Sequence, residues 1–359
     1  MRVCYYVSGH GLGHASRALQ VMEAFPPDAE IFVKSMAPPE FFRHNLSRRI
    51  HLYREQFDVG TWQRSNMEID WARTVDESVR VHREAEAQVE REVDWVRKQH
   101  IDAIVVDVPP LPLRVAAQAG IPGIAIVNFT WVEILAAISR RNAHAADLRR
   151  SYRDDYRRAT LALRTPMSLN LPHFKQMKDI PLIARRGRDI LKELRHYLNV
   201  KREDRLVLLY FGNWPDAGKY DRLAHFHHVR FISFLPMGPH VARLDPRQWS
   251  FPDVLSSCDA VIAKPGYGTI GECMANGTPV VYYPRPEFAE YAAIRADMNA
   301  WGGAVQISTR DFIETRWSRA LEQAFALTPS RADSSGAKVA AREITKAARN
   351  HGHETDQRR

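Results

Sequence analysis

The sequence predicts an α/β protein with two domains, each built on a parallel sheet covered by helices. Short apolar runs typical of buried strands, such as Arg2–Val7 and Ala260–Ala263, alternate with longer helical patterns. Each of these two runs is followed at once by a glycine-rich turn and a helical pattern, which is the start of a βαβ unit. A length of 359 residues suits two domains that each bury a core of their own.

In the first half of the chain, short apolar runs predict strands separated by helices. The runs Arg2–Val7, Glu30–Val33, Ile101–Val106 and Ile121–Phe129 predict four strands. The long stretch Trp71–His100 has valines at helix-compatible spacing amid charged residues, which predicts helical structure. This alternation predicts a parallel sheet with covering helices.

The first glycine loop, Ser8-Gly-His-Gly-Leu-Gly-His14, leads from the first strand into a helical pattern. Its glycine spacing differs from the dinucleotide-binding fingerprint, and Lys34-Ser35 stands where that fingerprint has an acidic residue. An imidazole near a helix N-terminus tends to stay neutral and able to accept a proton, so His14 is a candidate general base. A capping or core histidine is the alternative. The loop residues predicted to approach a ligand are Gly9, His10, Gly11 and Gly13.

The second glycine loop, Lys264-Pro-Gly-Tyr-Gly-Thr-Ile-Gly-Glu272, follows the apolar run Ala260–Ala263. A helix that starts here would offer free N–H groups and a dipole that favour a phosphate. Glu272 lies about one turn further along that helix, within reach of sugar hydroxyls. An ordinary βαβ turn with glycines for packing is the alternative. The residues predicted to contact the ligand are Lys264, Gly266, Tyr267, Gly268, Thr269 and Glu272.

These segments resemble the GT-B glycosyltransferases, whose two Rossmann-like domains face an interdomain cleft. The two glycine loops are similar to the histidine-ending loop and the nucleotide-binding loop of the peptidoglycan N-acetylglucosaminyltransferase group. A closer resemblance is to the glycosyltransferase-like N-terminal region of plant arabinokinases and to bacterial stand-alone relatives. The matching segments occur in the expected order and are Gly9–Arg17, Val127–Trp131, Pro181–Arg186, Lys264–Thr269 and Arg285–Glu290.

The resemblance implies that the first loop of the second domain contacts the donor phosphates. In this sequence that loop follows the predicted strand Arg205–Phe211 and begins with Gly212 and Asn213, which are therefore donor ligands by resemblance. The relatives more often have Gly-Gly or Gly-Ser at these two positions. This chain departs from them with Gly-Asn, followed by the bulky Trp214-Pro215.

The segment Arg285–Glu290 places a guanidinium and two carboxylates after another predicted strand. Arg285 would offset charge on the departing diphosphate, and Lys264 is a second cation close to the expected phosphates. Glu287 and Glu290 would hold hydroxyls of the donated sugar. A plain helix start with acidic first-turn residues is the alternative for this segment, and a solvated surface side chain is the alternative for Lys264.

Two residues at predicted strand ends complete the acceptor side. Asp107 ends its strand, and ligands of open α/β sheets bind at the carboxyl ends of strands. We therefore expect Asp107 to orient His14 or to contact the acceptor, with a helix-capping or turn aspartate as the alternative. Trp131 follows the strand Ile121–Phe129, where an exposed aromatic could face a sugar ring on the acceptor side, with core packing as the default interpretation.

The resemblance and these residues together predict transfer of a sugar from a nucleotide-diphosphate donor, with a UDP-sugar favoured, to an unidentified acceptor hydroxyl. We expect in-line displacement with inversion at the anomeric carbon and with His14 as the base. No Asp-x-Asp pair or cluster of His and Cys ligands occurs near the loops, so we predict that neither a metal ion nor a cofactor takes part. Retention of configuration and a different histidine as base stay open. So do two other functions, a nucleotide-sugar hydrolase or epimerase of the same fold and a non-catalytic nucleotide-sugar-binding protein.

We place the domain boundary at Pro181–Arg188, where a run of arginines interrupts the alternation of strands and helices. Residues 1–184 are predicted to form the acceptor-side domain and residues 185–328 the donor domain. Residues 329–359 are predicted to form a C-terminal helix with a basic tail.

The net charge of +9 leaves a further class of partner to consider. The basic stretch Ile138–Leu163 predicts a helix that would rest weakly on an anionic membrane surface, with a solvated face as the alternative. We expect no nucleic-acid partner, because the sequence has no zinc finger, RRM core sequence or basic–aromatic repeat. No apolar run approaches the roughly 20 residues that span a bilayer, and no signal-like segment begins the chain, so we expect a cytoplasmic location. The three cysteines lack metal-ligand spacing and are expected to be structural thiols.

Overall fold

The computed structural model describes residues 1–211 and 219–356, and the chain forms two compact units. The first unit comprises Met1–Gln63, Ile69–Ile183 and Ser335–Arg359, and the second comprises Arg64–Glu68 and Ala184–Ser334. Each unit is built on its own sheet, in which neighbouring strands run parallel. The prediction of an α/β fold with two parallel sheets is therefore confirmed.

The strands of the first unit are β1 (Arg2–Val7), β2 (Glu30–Ser35), β3 (His51–Tyr53), β4 (Ala103–Asp107), β5 (Gly123–Val127), β6 (Leu161–Arg164) and β7 (Met177–Asp179). They form a seven-stranded sheet in the order β3-β2-β1-β4-β5-β6-β7. In the register of β1 with β4, Val7 lies beside Asp107. The carboxyl ends of these two strands therefore meet at one edge of the sheet.

The helices of the first unit are α1 (Leu12–Glu23), α2 (Pro39–Asn45), α3 (Trp71–Glu86), α4 (Val89–Lys98), α5 (Leu111–Ala119), α6 (Trp131–Ile134), α7 (Ala143–Tyr156) and the C-terminal helix (Gly336–Asp356). They cover both faces of the sheet, because successive side chains of a strand point to opposite sides. Cys4 and Tyr6 of β1 join one apolar core, whereas Tyr5 joins the other. The C-terminal helix packs on this second core through residues such as Ala340 and Ile344.

The stretch Trp71–His100, predicted to be helical, forms the two helices α3 and α4. The first ends at Glu86, and Gln88 leaves helical geometry with φ −107° and ψ 2°. Two glutamates, Glu90 and Glu92, lie in the first turn of α4, where negative charge favours a helix start. The valine spacing indicated helical structure correctly but carried no signal for this interruption.

The basic stretch Ile138–Leu163 is not the single surface helix that we predicted. It contains a 3₁₀ turn at Ile138–Arg140, helix α7 and the first residues of β6. The apolar residues of α7 are buried in the core of the first unit, because burying them there removes apolar area from water. The helix therefore uses its apolar face within the protein. Across residues 1–211 and 219–356, no helix has both the length and the apolar character that crossing a bilayer requires.

The strands of the second unit are β8 (Arg205–Tyr210), β9 (Val229–Ser233), β10 (Val241–Arg243), β11 (Ala260–Ala263), β12 (Val280–Tyr282) and β13 (Ala304–Gln306). They form a six-stranded sheet in the order β10-β9-β8-β11-β12-β13. The helices are α8 (Leu191–Leu198), α9 (Phe251–Ser256), α10 (Tyr267–Asn276), α11 (Tyr291–Trp301), α12 (Thr309–Ile313) and α13 (Ser318–Phe325), with a 3₁₀ helix at Tyr220–His225. The short segment Arg64–Glu68 also belongs to this unit, and its Met67 packs against the apolar core around Trp317.

Candidate active site

The first glycine loop joins β1 to α1 at the carboxyl edge of the first sheet. The Ser8 backbone N–H donates to the Asp107 carbonyl oxygen at 2.7 Å, which ties the loop to the end of β4. Gly11 caps α1 with φ 72°, a left-handed conformation that residues with a Cβ rarely adopt. Helix α1 begins at Leu12, so His14 lies in its first turn.

The structure brings His14 and Asp107 together. The His14 Nδ1 atom lies 2.8 Å from Asp107 Oδ1. Asp107 is fully buried and accepts two further hydrogen bonds from Arg17, from Nε to Oδ2 at 2.7 Å and from Nη2 to Oδ1 at 2.6 Å. Arg17 Nη1 donates to Asn128 Oδ1 at 2.8 Å. This two-point contact between guanidinium and carboxylate fixes the orientation of Asp107, and Asp107 in turn holds the His14 ring.

The charge state of Asp107 determines which nitrogen of His14 can act as a base. Burial alone would raise the pKa of Asp107, but the charge of Arg17 and the hydrogen bonds from Arg17 and His14 outweigh burial and lower it. Asp107 is therefore an ionised carboxylate near neutral pH, and a carboxylate only accepts hydrogen bonds. A neutral His14 must carry its proton on Nδ1, which leaves Nε2 as the basic atom.

The rest of the glycine loop lies at the protein surface. Gly9, His10, Gly11 and Gly13 are exposed, whereas the His14 side chain is largely covered and packs edge-on against Phe129, with ring centroids 5.7 Å apart. The loop therefore exposes its backbone and the His10 ring to solvent, whereas the His14 side chain is mostly covered.

Trp131 is not the exposed sugar platform that the sequence suggested. It is 5% exposed and lies in the core of the first unit, so core packing, the default interpretation, holds. A large ring gains most from complete burial when its N–H finds a partner. The Trp131 Nε1–H does so by donating to Asp58 Oδ2 at 3.0 Å.

Asp58 is a site residue that the sequence analysis missed. It lies in the loop between β3 and α3, is 5% exposed, and interacts electrostatically with both His14 and Asp107. Burial raises its pKa to about 6, against the lowering effects of the hydrogen bond from Trp131, the charge of His14 and a hydrogen bond from Ser8. Its neighbourhood in the sequence, Phe57-Asp-Val-Gly60, offered one signal, a lone acid between apolar residues just before a glycine.

The second glycine loop joins β11 to α10 in the second unit. Gly266 caps the helix with extended backbone, and α10 begins at Tyr267, so Gly268 and Thr269 lie in its first turn. All four residues are partly buried. The first-turn N–H groups have no intrahelical acceptor, so this helix end suits an anion.

Glu272, predicted to contact sugar hydroxyls, has a protein partner in this structure. Its side chain is nearly buried and accepts a hydrogen bond from Arg185 Nε at 2.5 Å. Burial raises the pKa of Glu272, and the charge and hydrogen bond of Arg185 oppose that rise. The role of Glu272 as a donor ligand stays a prediction, and it would require a sugar hydroxyl to join or replace Arg185.

Arg285 and Lys264 place two cations near each other in the second unit. Arg285 is 4% exposed, and its Nε atom donates to the Asn66 carbonyl oxygen at 2.5 Å. Its Cζ atom lies 3.3 Å from the centroid of the Phe288 ring. Its Nη2 atom is buried and has no hydrogen-bond partner among the residues that the structure describes. Burial and the charge of Arg285 lower the pKa of Lys264 to about 8, partly offset by Glu290. Lys264 is therefore not a solvated surface side chain.

The remaining predicted donor ligands are less informative. Glu287 is exposed, and Glu290 is half-buried at the cap of α11. Gly212 and Asn213 lie outside the described residues, so the structure gives no account of them. The cations Lys264 and Arg285 and the start of α10 thus form the best-defined candidate site of the second unit, which could hold a group with several negative charges.

The two units and their glycine loops define a protein of the GT-B class. Residues 1–161 match the family model described as glycosyl transferase family 1. L-arabinokinase of Arabidopsis thaliana is 27% identical over 334 residues, which are 90% of this chain and 32% of that protein. This chain therefore spans about a third of the length of that curated relative.

Solved glycosyltransferases share the fold along nearly the whole chain. The calicheamicin glycosyltransferase CalG4 aligns with a TM-score of 0.61 and 15% identity, covering 98% of this chain and 94% of that one. Phytolacca americana UGT2, in complex with UDP-2fluoro-glucose and pterostilbene, aligns with a TM-score of 0.62 and 12% identity, covering 97% and 94%. The prediction of a GT-B fold is confirmed by these structures, and residues 1–161 match a glycosyl transferase family model.

Proposed function

We propose that this protein transfers a sugar from a nucleotide-diphosphate donor, a UDP-sugar in the favoured case, to the hydroxyl of an acceptor. The displacement inverts the anomeric carbon and uses no metal ion. In this proposal the first unit supplies the base and the second unit holds the donor.

The observation that carries the proposal is the pair formed by His14 and Asp107 at the ends of β1 and β4. The basic Nε2 atom of His14 takes the proton of the acceptor hydroxyl as its oxygen bonds to the anomeric carbon. The bond from that carbon to the diphosphate oxygen breaks, and its electron pair leaves with the nucleotide. Asp107 stabilises the imidazolium that forms, because its carboxylate lies 2.8 Å from Nδ1 and is kept ionised by Arg17.

The cations of the second unit support the donor assignment. A departing diphosphate gains negative charge, and donors or cations that are already in place stabilise it. The buried Nη2 atom of Arg285 lacks a partner among the described residues, so a phosphate oxygen would satisfy it. Lys264 and the first turn of α10 add positive potential. The UDP-sugar analogue bound to the Phytolacca relative supports UDP as the nucleotide.

The test begins with donor binding measured by calorimetry over a panel of UDP-, GDP-, dTDP- and ADP-sugars. We expect one nucleotide class to bind with micromolar affinity, and His14→Gln to bind it as tightly as the wild type. If no member of the panel binds, the donor assignment fails.

Product analysis then separates a transferase from its alternatives. We expect a donor-derived sugar on an acceptor with the wild type and with His44→Gln, which changes an exposed histidine of α2, and none with His14→Gln. Free sugar in place of a glycoside would establish a hydrolase, and binding without turnover would establish a non-catalytic sensor. Unchanged activity after chelation of divalent ions is expected.

A further inference from the structure

The loop between β3 and α3 packs directly on the glycine loop that carries His14. Phe57 meets Tyr6 of β1 edge-on, with ring centroids 4.9 Å apart. At Gly60, a Cβ atom would lie 1.6 Å from His10 Cγ, so only glycine permits the observed approach. Asp58 lies between these two anchor points, and its position relative to the glycine loop is therefore well defined.

Two hydrogen bonds hold the Asp58 carboxyl group in an otherwise covered site. Trp131 Nε1 donates to Oδ2 at 3.0 Å, and the Ser8 hydroxyl, at the start of the glycine loop, donates as well. A buried carboxylate without a full ion pair is costly, so its charge responds strongly to neighbouring charges. The groups that interact electrostatically with it include His14 of α1, Asp107 of β4, and Tyr152 and Tyr156 of α7.

We propose that Asp58 is a positioning residue of the active site that acts through His14. When it is ionised, its charge stabilises the imidazolium that forms as His14 takes the acceptor proton. Trp131 thereby has a function in the site as the anchor of Asp58. The inference rests on the proposed function, because transfer is the step that puts the proton on His14.

The division of roles between the two carboxylates follows from their surroundings. Asp107 is paired with Arg17 and holds the ring by a direct hydrogen bond. Asp58 instead accepts hydrogen bonds from Trp131 and Ser8, and its pKa is lowered by the charge of His14 and raised by that of Asp107. Burial raises the pKa of Asp58 to about 6, and the charge of His14 lowers it, so the charge of Asp58 is coupled to that of His14.

The first experiment measures this coupling on the free protein, without substrate. Aspartate labelled with ¹³C at the carboxyl carbon would be titrated by NMR, with the Asp58 signal assigned by its loss in Asp58→Asn. In His14→Gln the titration midpoint of Asp58 should rise by about 0.5 pH units or more, because the positive charge of His14, which stabilises the Asp58 carboxylate, is removed. The matched change at an exposed histidine, His44→Gln, should leave the titration midpoint of Asp58 unchanged. An unchanged midpoint in His14→Gln would overturn the proposal.

The second experiment measures turnover. Asp58→Asn keeps an oxygen that can accept from Trp131 but removes the charge, whereas Asp58→Ala removes both. We expect kcat to fall about tenfold in Asp58→Asn, the factor that corresponds to one pKa unit, with the donor KM unchanged. Asp58→Glu, which restores the charge, should recover part of the rate. Wild-type kcat in a folded Asp58→Asn would refute the positioning role.

Failure of this inference is distinguishable from failure of the proposed function. The titration needs no donor, so it decides the coupling between Asp58 and His14 even if no sugar is transferred. A third variant checks the anchor: Trp131→Phe keeps an aromatic ring but removes the N–H donor, and it should raise the Asp58 midpoint above about 6. A lowered or constant midpoint in Trp131→Phe would contradict the assigned hydrogen bond.

Discussion

Replacing Arg17 with methionine tests the electrostatic basis of the site. Arg17 and Asp107 are both buried, and their two hydrogen bonds of 2.6 and 2.7 Å are the contacts that keep Asp107 ionised. Removing one partner of a buried ion pair costs about 3–5 kcal/mol, since it leaves the other charge uncompensated. That is a large part of the roughly 5–15 kcal/mol that stabilises a typical domain. We therefore expect Arg17→Met to lower the free energy of unfolding of the first unit by about 3–5 kcal/mol at pH 7.

The pH dependence of this loss makes the test specific. In the wild type the pKa of Asp107 is lowered, so its contribution to stability is present above the unfolded-state pKa and is lost as pH falls through the folded-state value. Without Arg17, burial dominates and raises the pKa of Asp107, so the variant loses stability as pH rises. The difference between wild type and Arg17→Met should thus grow from about pH 4 to pH 7.

Urea denaturation followed by circular dichroism at several pH values would measure this difference. The double variant Arg17→Met/Asp107→Asn removes both charges and should cost less than the sum of the two single variants. The assignment of a buried ion pair would be refuted if the stability losses of the two single variants added up to that of the double variant. A stability loss in Arg17→Met below about 1 kcal/mol that does not change with pH would refute it as well.

Three further predictions follow from other contacts. Gly60→Ala should destabilise the protein by about 1–3 kcal/mol, because the added Cβ would overlap the His10 side chain of the glycine loop. The control Gly13→Ala, whose Cβ would lie in open space, should not destabilise it. Equal melting temperatures for the two variants would contradict the packing at Gly60. Asp58→Asn should abolish a loss of about 2 kcal/mol that the wild type undergoes as pH rises from 4 to 7 through a raised pKa of about 6, and an unchanged pH profile of stability would disprove that raised value. Arg285→Lys should weaken donor binding about tenfold, with the exposed Arg316→Lys as control, and equal dissociation constants by calorimetry would remove Arg285 from the donor site.

The parts of the fold that the sequence predicted are those with local signals. Apolar runs marked β1 and β11, and the glycine turns after them marked the starts of α1 and α10. The pairing of His14 with Asp107 was also expected, because both follow strands whose carboxyl ends meet in a parallel sheet. These inferences require only the order of the strands and the spacing of apolar residues along the sequence.

The features that were missed depend on contacts between residues far apart in the sequence. Asp58 and Trp131 are separated by 73 positions, and Arg185 and Glu272 by 87, so neither partner can be found from its neighbours. An aromatic residue after a strand has the same sequence pattern whether its ring faces solvent or the core. The sequence therefore could not decide between the two interpretations of Trp131, and Asp58 was missed.

The error at Ile138–Leu163 is of a different kind, since the sequence held the missing signal. Ala145, Leu148, Tyr152 and Tyr156 recur at intervals of three and four, which is the stripe of a helix that packs on a core. The basic residues around them describe the solvent face of the same helix. Charge alone suggested a membrane surface, whereas apolar spacing would have favoured packing within the first unit.

The two carboxylates near His14 show why the candidate site is more than a sequence motif. Asp107 and Asp58 are both buried, but Arg17 lowers the pKa of one, while burial raises the pKa of the other to about 6. Environments that push the pKa values of like groups apart are a recurrent way of assigning different acid–base roles to them. The lowered group stays ionised and fixes the tautomer of His14, whereas the charge of the raised group depends on pH and on the charge of His14. A base with one permanent and one responsive carboxylate beside it suits repeated proton uptake and release, which is what each transfer to a hydroxyl would require.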